Sequence, residues 1–221
     1  MRYAMERDPT ALLEVAISDV LHGGDWVGEK KEIINYTAKI RHPDMVPVLK
    51  HEKIIEMLDD WHGEGHYDTT TQWTFPEEIR TNLTGEIVPN DNTGEYFERL
   101  TTPENQLSSI VDKINQWGRV NRACAQVFQV DSDLNAMFPP CLMTIQALYR
   151  DDKLHLTAYF RSHTIAKSYY GDIIALTRMQ SWIADKVECD VGELVVHSGS
   201  LHARKKNDEY ELLKKMEEEL I

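Results

Sequence analysis

The sequence has no apolar run approaching the ~20 residues that would span a bilayer. Its first residues, Met1-Arg2-Tyr3-Ala4-Met5-Glu6-Arg7-Asp8, carry neither the apolar stretch nor the cleavage site of a signal peptide. Cysteine is sparse. Cys124, Cys141 and Cys189 are an odd number without Cys-x-x-Cys spacing, which suits a reducing cytoplasm better than a disulfide framework. Positive charge is in deficit, with 24 Lys+Arg against 37 Asp+Glu and a formal net charge of −13. Such a balance disfavours a polyanion such as duplex DNA as partner, and a small anion would need a local arginine cluster. Neither His22-Gly23-Gly24-Asp25 nor His62-Gly63-Glu64-Gly65-His66 has the spacing of a phosphate-binding glycine loop. His62 and His66 stand four apart, but Gly63 and Gly65 argue against the helix a zinc pair would use, so no metal is expected. No Gly-x-Ser-x-Gly elbow occurs, and no repeat or Pro/Gly/Ser linker divides the chain. The expectation is a single domain over residues 1–221.

Apolar residues are plentiful, at 42% of the chain, which is enough for a substantial core. Leu12, Leu13, Ala16, Ile17, Val20 and Leu21 fall at helical spacing, predicting a helix from Pro9 to about Leu21 that Gly23-Gly24 ends. Further helices are expected over 50–61, 104–117, 173–186 and 208–220. Strands are expected over 33–40, 124–130, 143–149, 154–160 and 194–197, with a hairpin turn at Arg150-Asp151-Asp152-Lys153. Residues 63–94 read as loops with one short helix at most, and long loops in compact domains are often functional. Helices and strands alternate without a βαβ rhythm, so the fold class is α+β with a mixed, mostly antiparallel sheet.

One segment singles itself out chemically. In Phe138-Pro139-Pro140-Cys141, two prolines fix the backbone just before a cysteine at a strand entrance. A buried core cysteine after a proline turn is the plain alternative. Arg161-Ser162 ends the next strand, and hairpin geometry returns that end to the start of the first. A guanidinium there would favour the thiolate, the nucleophilic form, or grip a phosphate through two parallel hydrogen bonds.

Pro140-Cys141, Phe160-Arg161-Ser162, Gly171-Asp172-Ile173, Val191-Gly192-Glu193-Leu194 and Ser200-Leu201-His202 together resemble, in order and spacing, the thymidylate synthase family. That family includes the pyrimidine-nucleotide hydroxymethylases. The likeness runs ungapped from about Arg122 to Arg204 and extends more weakly back to Glu56-Met57-Leu58-Asp59-Asp60-Trp61-His62-Gly63. The chain looks closest to the compact archaeal-type branch.

The resemblance implies a homodimer packed through the sheet and a pyrimidine 5′-monophosphate as substrate. It also implies methylene-tetrahydrofolate as one-carbon donor. Cys141 would attack C6 of the base, and Glu56 would organise proton transfer through water. Arg161, Ser162 and Arg122 would hold the phosphate, with Arg122 crossing from the partner subunit, and His202 would contact the sugar. Trp73 and Tyr96 resemble family positions lining the site.

Four departures from the family pattern shape the expectation. Asp172 stands where thymidylate synthases carry a base-reading asparagine. Cytosine offers a donor at N4 and an acceptor at N3, the inverse of uracil. A carboxyl group answers with one accepting oxygen and one protonated, donating oxygen. Asp at this position marks the family's cytidylate hydroxymethylases; the alternative role for Asp172 is a helix N-cap. Thr164 replaces the folate-contacting aspartate, and Arg204 replaces the sugar-binding tyrosine. Lys30 or Lys31 is the nearest candidate for the arginine of the N-terminal phosphate loop. The expected activity is therefore one-carbon transfer to C5 of dCMP or CMP, with methylation of dUMP as the runner-up and a non-catalytic nucleotide-binding relative as the third reading.

Overall fold

The computed structural model describes residues 2–62 and 95–220. The expected loops at 63–94, with Trp73 and His66 among them, lie outside the described residues. In chain order the elements are strand β1 (Arg2–Glu6), helix α1 (Pro9–Gly23), strands β2 (Asp25–Val27) and β3 (Lys30–Ile40), and helices α2 (Val48–His62), α3 (Glu95–Thr101) and α4 (Gln106–Trp117). Strand β4 (Cys124–Gln126), helix α5 (Val130–Asp133), and strands β5 (Leu142–Arg150), β6 (Lys153–Phe160) and β7 (His163–Thr164) follow. A π-helical turn at Ile165–Tyr169 leads into helix α6 (Tyr170–Val187), strand β8 (Asp190–Arg204), a 3-10 turn and helix α7 (Glu209–Leu220).

The sheet runs β1-β3-β8-β6-β5-β4, with β2 paired to β3 and β7 to β8. Pairs β1–β3, β6–β8 and β7–β8 are parallel and the other four are antiparallel. The fold is thus α+β, as expected. β8 is the spine: it zips antiparallel to β3 from Lys30↔Arg204 to Ile40↔Leu194, and parallel to β6 on its other side. Leu194, Val196 and Ser198 of β8 are buried while Val195 and His197 between them are half-exposed, the period of a sheet with one covered face.

Local chemistry explains the ends. Asp8 caps α1, its carboxylate accepting from Thr10 N and Ala11 N at 3.0 Å each, with Pro9 in the first turn. Asn105 caps α4 through Ser108 N at 2.9 Å. The β5–β6 turn puts Asp151 and Asp152 at φ 52° and 56°, the two-residue hairpin geometry that matches strand twist.

Three expectations are corrected. β1 was not anticipated, because a five-residue edge strand that buries only Ala4 has too little alternation to read. The strand expected over 124–130 stops at Gln126. There Asp133 accepts from Gln129 N at 2.7 Å and is gripped by Arg99 at 2.5 Å, which winds Val130–Asp133 into a helical turn instead. The strand expected over 194–197 is part of a strand of 15 residues, since Gly192, Gly199 and the polar Ser198, Ser200 and His202 break its apolar pattern without breaking its ladder.

Candidate active site

Cys141 lies at the mouth of β5, immediately before Leu142, whose register partner on β6 is Phe160. Arg161 N donates to Cys141 O at 2.9 Å, so the hairpin does return Arg161 to the cysteine. The guanidinium then ties down the proline pair: Nε donates to Pro140 O at 3.0 Å and one terminal nitrogen to Pro139 O at 2.5 Å. Arg161 holds the backbone that aims the thiol as well as lending it charge. Gly199 makes this possible, because a Cβ there would stand 2.8 Å from Arg161 O.

Tyr96 closes the other side. It is 3% exposed, and its hydroxyl oxygen accepts from Cys141 N at 3.2 Å and Leu142 N at 3.3 Å. Burial, then the charges of Asp172 and Cys141, keep the phenol protonated well above its ordinary range, so its O–H remains a donor, and it bonds to the thiol.

The Cys141 thiol is half-buried, and burial is the largest influence on it, raising its pKa. Arg161 acts against burial, as do the Tyr96 hydrogen bond and Arg204, while Asp172 acts with it; the net direction is up. The guanidinium favours the thiolate, as expected, but desolvation and a nearby carboxyl outweigh it. All three cysteines are free.

Asp172 does not cap a helix. It is the third residue of α6, whose first turn follows the π-turn without a side-chain cap. The residue is 2% exposed, and its Oδ2 lies 2.8 Å from His163 Nε2. His163, 1% exposed, bonds through Nδ1 to Ser198 Oγ at 3.0 Å and stacks on Phe160 with ring centroids 4.0 Å apart. The expectation of strand, then motif, then helix missed this pair, because His163 occupies a two-residue strand that has no apolar period to betray it. The available signal was a histidine directly after Arg161-Ser162. π-turns recur at functional sites because they re-aim the residues that follow.

His202 is 1% exposed, with Nε2 3.3 Å from Thr164 Oγ1 and Nδ1 3.3 Å from Ser200 Oγ. Burial, then the cations Arg204 and Lys30, push its pKa down to about 4, so it is neutral at pH 7. Ser200 also donates to Glu32 at 2.6 Å, the largest reason that carboxylate is held below its ordinary value. Arg204 is exposed, is the register partner of Lys30, and anchors its own backbone N–H on Glu209 at 2.9 Å. Of the two lysines considered, Lys31 sits over Trp26 and Tyr210 at 5.7 and 5.8 Å, whereas Lys30 is the one near His202.

Ser162 is half-buried between Arg161 and His163. Glu56 is exposed on α2, and among the described residues no hydrogen bond joins it to Cys141. The helix itself is fixed to the site's foundation by His51 Nδ1 bonding the Tyr170 hydroxyl at 2.8 Å. Arg122 is not brought to Cys141 within one chain. It is exposed, stacks 4.3 Å over Trp117, and precedes a strand whose Cys124 pairs with Gln146, midway along β5 and away from the Cys141 end. Among the described residues no group of three or more His, Cys, Asp or Glu could hold a metal ion, and no helix is long and apolar enough to cross a membrane.

The assembled set is a thiol, a buried acid, a buried phenol and nearby arginines at one end of a mixed sheet. Residues 52–219 match the family model described as thymidylate synthase, and the chain belongs to that family. Among its relatives are proteins named "Putative thymidylate synthase". That of Methanosarcina barkeri is 29% identical over 141 residues, covering 60% of this chain and 63% of the relative. That of Methanococcoides burtonii is 30% identical over 123 residues (54% and 56%), and that of Methanocaldococcus jannaschii 31% over 103 residues (44% and 46%). The chain thus spans less than two-thirds of the length of each of these relatives.

Proposed function

We propose that this protein is a one-carbon transferase that acts on C5 of a cytidine 5′-monophosphate and gives the 5-hydroxymethyl product. The observation that carries the reading is Asp172, buried and bonded to His163 rather than capping α6, within charge reach of Cys141. In this reading the thiol proton passes to water as the sulfur pair forms the bond to C6. The C5=C6 pair moves to C4=C5, and the C4=N3 pair takes a proton at N3 from the Asp172 carboxyl. That leaves C5 an enamine carbon. Arg161, Ser162 and Arg204 hold the phosphate and sugar side, His202 is a neutral hydrogen-bonding partner for the sugar, and Glu56 directs water at the base.

Methylene-tetrahydrofolate, the one-carbon co-substrate of this family, supplies the carbon that C5 captures. Of the residues assigned to it, Thr164 offers a hydroxyl 3.3 Å from His202 Nε2, which suits a neutral pterin contact without the carboxylate's charge. Trp73 lies outside the described residues. The reading includes one cytoplasmic domain and a homodimer through the sheet. The sheet face bearing Thr37, Val195 and the stacked pair Tyr159 and His197 is only partly covered within the chain, and Arg122, remote from its own Cys141, then serves the partner's phosphate.

The relatives' printed names favour a second reading, methylation of dUMP. Tritium release from C5-labelled dCMP, CMP and dUMP, with and without the folate donor, decides between them. Release from a cytosine nucleotide supports the proposal; release from dUMP alone overturns it in favour of the second reading. No release from any of the three by folded protein would favour a binding protein without this chemistry.

A further inference from the structure

A protonated carboxyl group is an ambiguous reader of a pyrimidine edge. With its proton on the oxygen facing N3 it fits cytosine, and with its proton on the oxygen facing position 4 it fits uracil equally well. Which base Asp172 reads therefore depends on which of its oxygens carries the proton, and its neighbours set that.

His163 Nε2 lies 2.8 Å from one particular oxygen, Oδ2, and the ring has almost no freedom. It is 1% exposed, stacked on Phe160 at 4.0 Å and 20°, edge-on to Tyr169 at 4.9 Å, and held at Nδ1 by Ser198 Oγ at 3.0 Å. Ser198 is itself fully buried on β8. We propose that His163 is a specificity-determining positioning residue: held by Ser198, it donates Nε2–H to Asp172 Oδ2 and thereby forces the carboxyl proton onto Oδ1.

With Oδ2 on the side of position 4, its two lone pairs accept from His163 and from the N4–H of cytosine at once, while Oδ1–H meets N3. The inverted arrangement, with Oδ2–H donating to O4 of uracil, would make the hydroxyl oxygen the acceptor of His163 Nε2–H, and a protonated carboxyl oxygen is a much poorer acceptor than the carbonyl oxygen. When the N3 proton is given up, the same Nε2–H bond stabilises the carboxylate left behind. Ser198 O–H donating to Nδ1 fixes the tautomer that all of this requires.

The inference rests on Asp172 reading the base, and the test separates the two. C5 tritium release is measured on dCMP and dUMP for wild type, Asp172→Ala, His163→Phe, His163→Gln, Ser198→Ala and Asp172→Ala/His163→Phe. His163→Phe keeps the stack on Phe160 and removes the donor; the dCMP:dUMP ratio is expected to fall by about 10-fold or more. His163→Gln, which returns an N–H donor near the Nε2 position, restores a substantial part of that ratio. Ser198→Ala lowers it to a smaller extent, and His163→Phe has no further effect on it once Asp172 is alanine. A histidine that merely packs would slow both substrates together and leave the ratio unchanged, which would overturn the inference. Should Asp172→Ala leave the ratio unchanged, base reading by Asp172 is what has failed. Should His163→Phe not fold, the glutamine and Ser198 variants carry the same test: a ratio at the wild-type value in Ser198→Ala would refute the role of the fixed tautomer.

Discussion

Replacing Tyr96 by phenylalanine deletes one oxygen atom and, by the geometry at the mouth of β5, unmakes three hydrogen bonds among the described residues. Two of them satisfy the backbone N–H groups of Cys141 and Leu142, at 3.2 and 3.3 Å, and Leu142 is fully buried. The third reaches the Cys141 thiol. A buried donor left without a partner costs about 1–3 kcal/mol. Two of them, one less deeply buried, predict a loss of about 2–4 kcal/mol in unfolding free energy, or roughly 5–15 °C in Tm for a domain of this size. Phenylalanine keeps the ring and its 6.4 Å edge contact with Phe160, so little of the loss is packing. The chemical consequence has the same origin: without the phenol O–H the thiol loses one of the groups holding its pKa down and is less reactive at neutral pH. Urea denaturation gives the first quantity and the rate of Cys141 alkylation against pH the second, with the alkylation midpoint moved upward. A variant within about 0.5 kcal/mol of wild type, with an unmoved midpoint, would show that the phenol neither satisfies the turn nor touches the sulfur.

Gly199→Ala places a Cβ 2.8 Å from Arg161 O; displacement of the Arg161 strand end is expected to weaken nucleotide binding, measurable by calorimetry, whereas unchanged binding would mean the close approach is dispensable. Asp8→Ala removes a cap bonded to Thr10 N and Ala11 N and should cost about 1 kcal/mol in urea denaturation, while leaving alkylation of Cys141 as it was. His51 and His202 are both pushed from 6.5 to about 4, chiefly by burial. The unfolded chain binds their protons first, so stability is intact above about pH 6.5 and falls as the pH drops from there towards 4. His51→Gln keeps a hydrogen-bonding group for the Tyr170 hydroxyl without titrating and should flatten that slope; a stability curve between pH 6.5 and 4 as steep as that of wild type would refute the assignment.

The helix α1 and the β5–β6 hairpin were legible because each has a local cause, a cap with a clear apolar face in one and two turn residues between alternating strands in the other. The placing of Arg161 beside Cys141 followed from the same hairpin. What the sequence hid was set by tertiary contacts. The turn at Val130–Asp133 exists because Arg99, from another element, grips Asp133. Asp172 reads as a helix start, since an aspartate before an apolar run is the usual sign of a cap. The π-turn and His163, nine residues upstream, draw it into the interior instead. The balance at Cys141 has a related origin: the arginine that favours the thiolate is visible in the sequence, whereas the burial that outweighs it is not.

Central to the proposed function is a sulfur that adds to a cytosine ring. A 5-fluorinated cytidine monophosphate cannot release its C5 substituent as a proton, so with the folate donor present the adduct should persist, and mass spectrometry of the digest will place its added mass on the peptide containing Cys141. An adduct formed with the 5-fluorouracil nucleotide and never with the cytosine analogue, or no covalent adduct with either, would contradict the account.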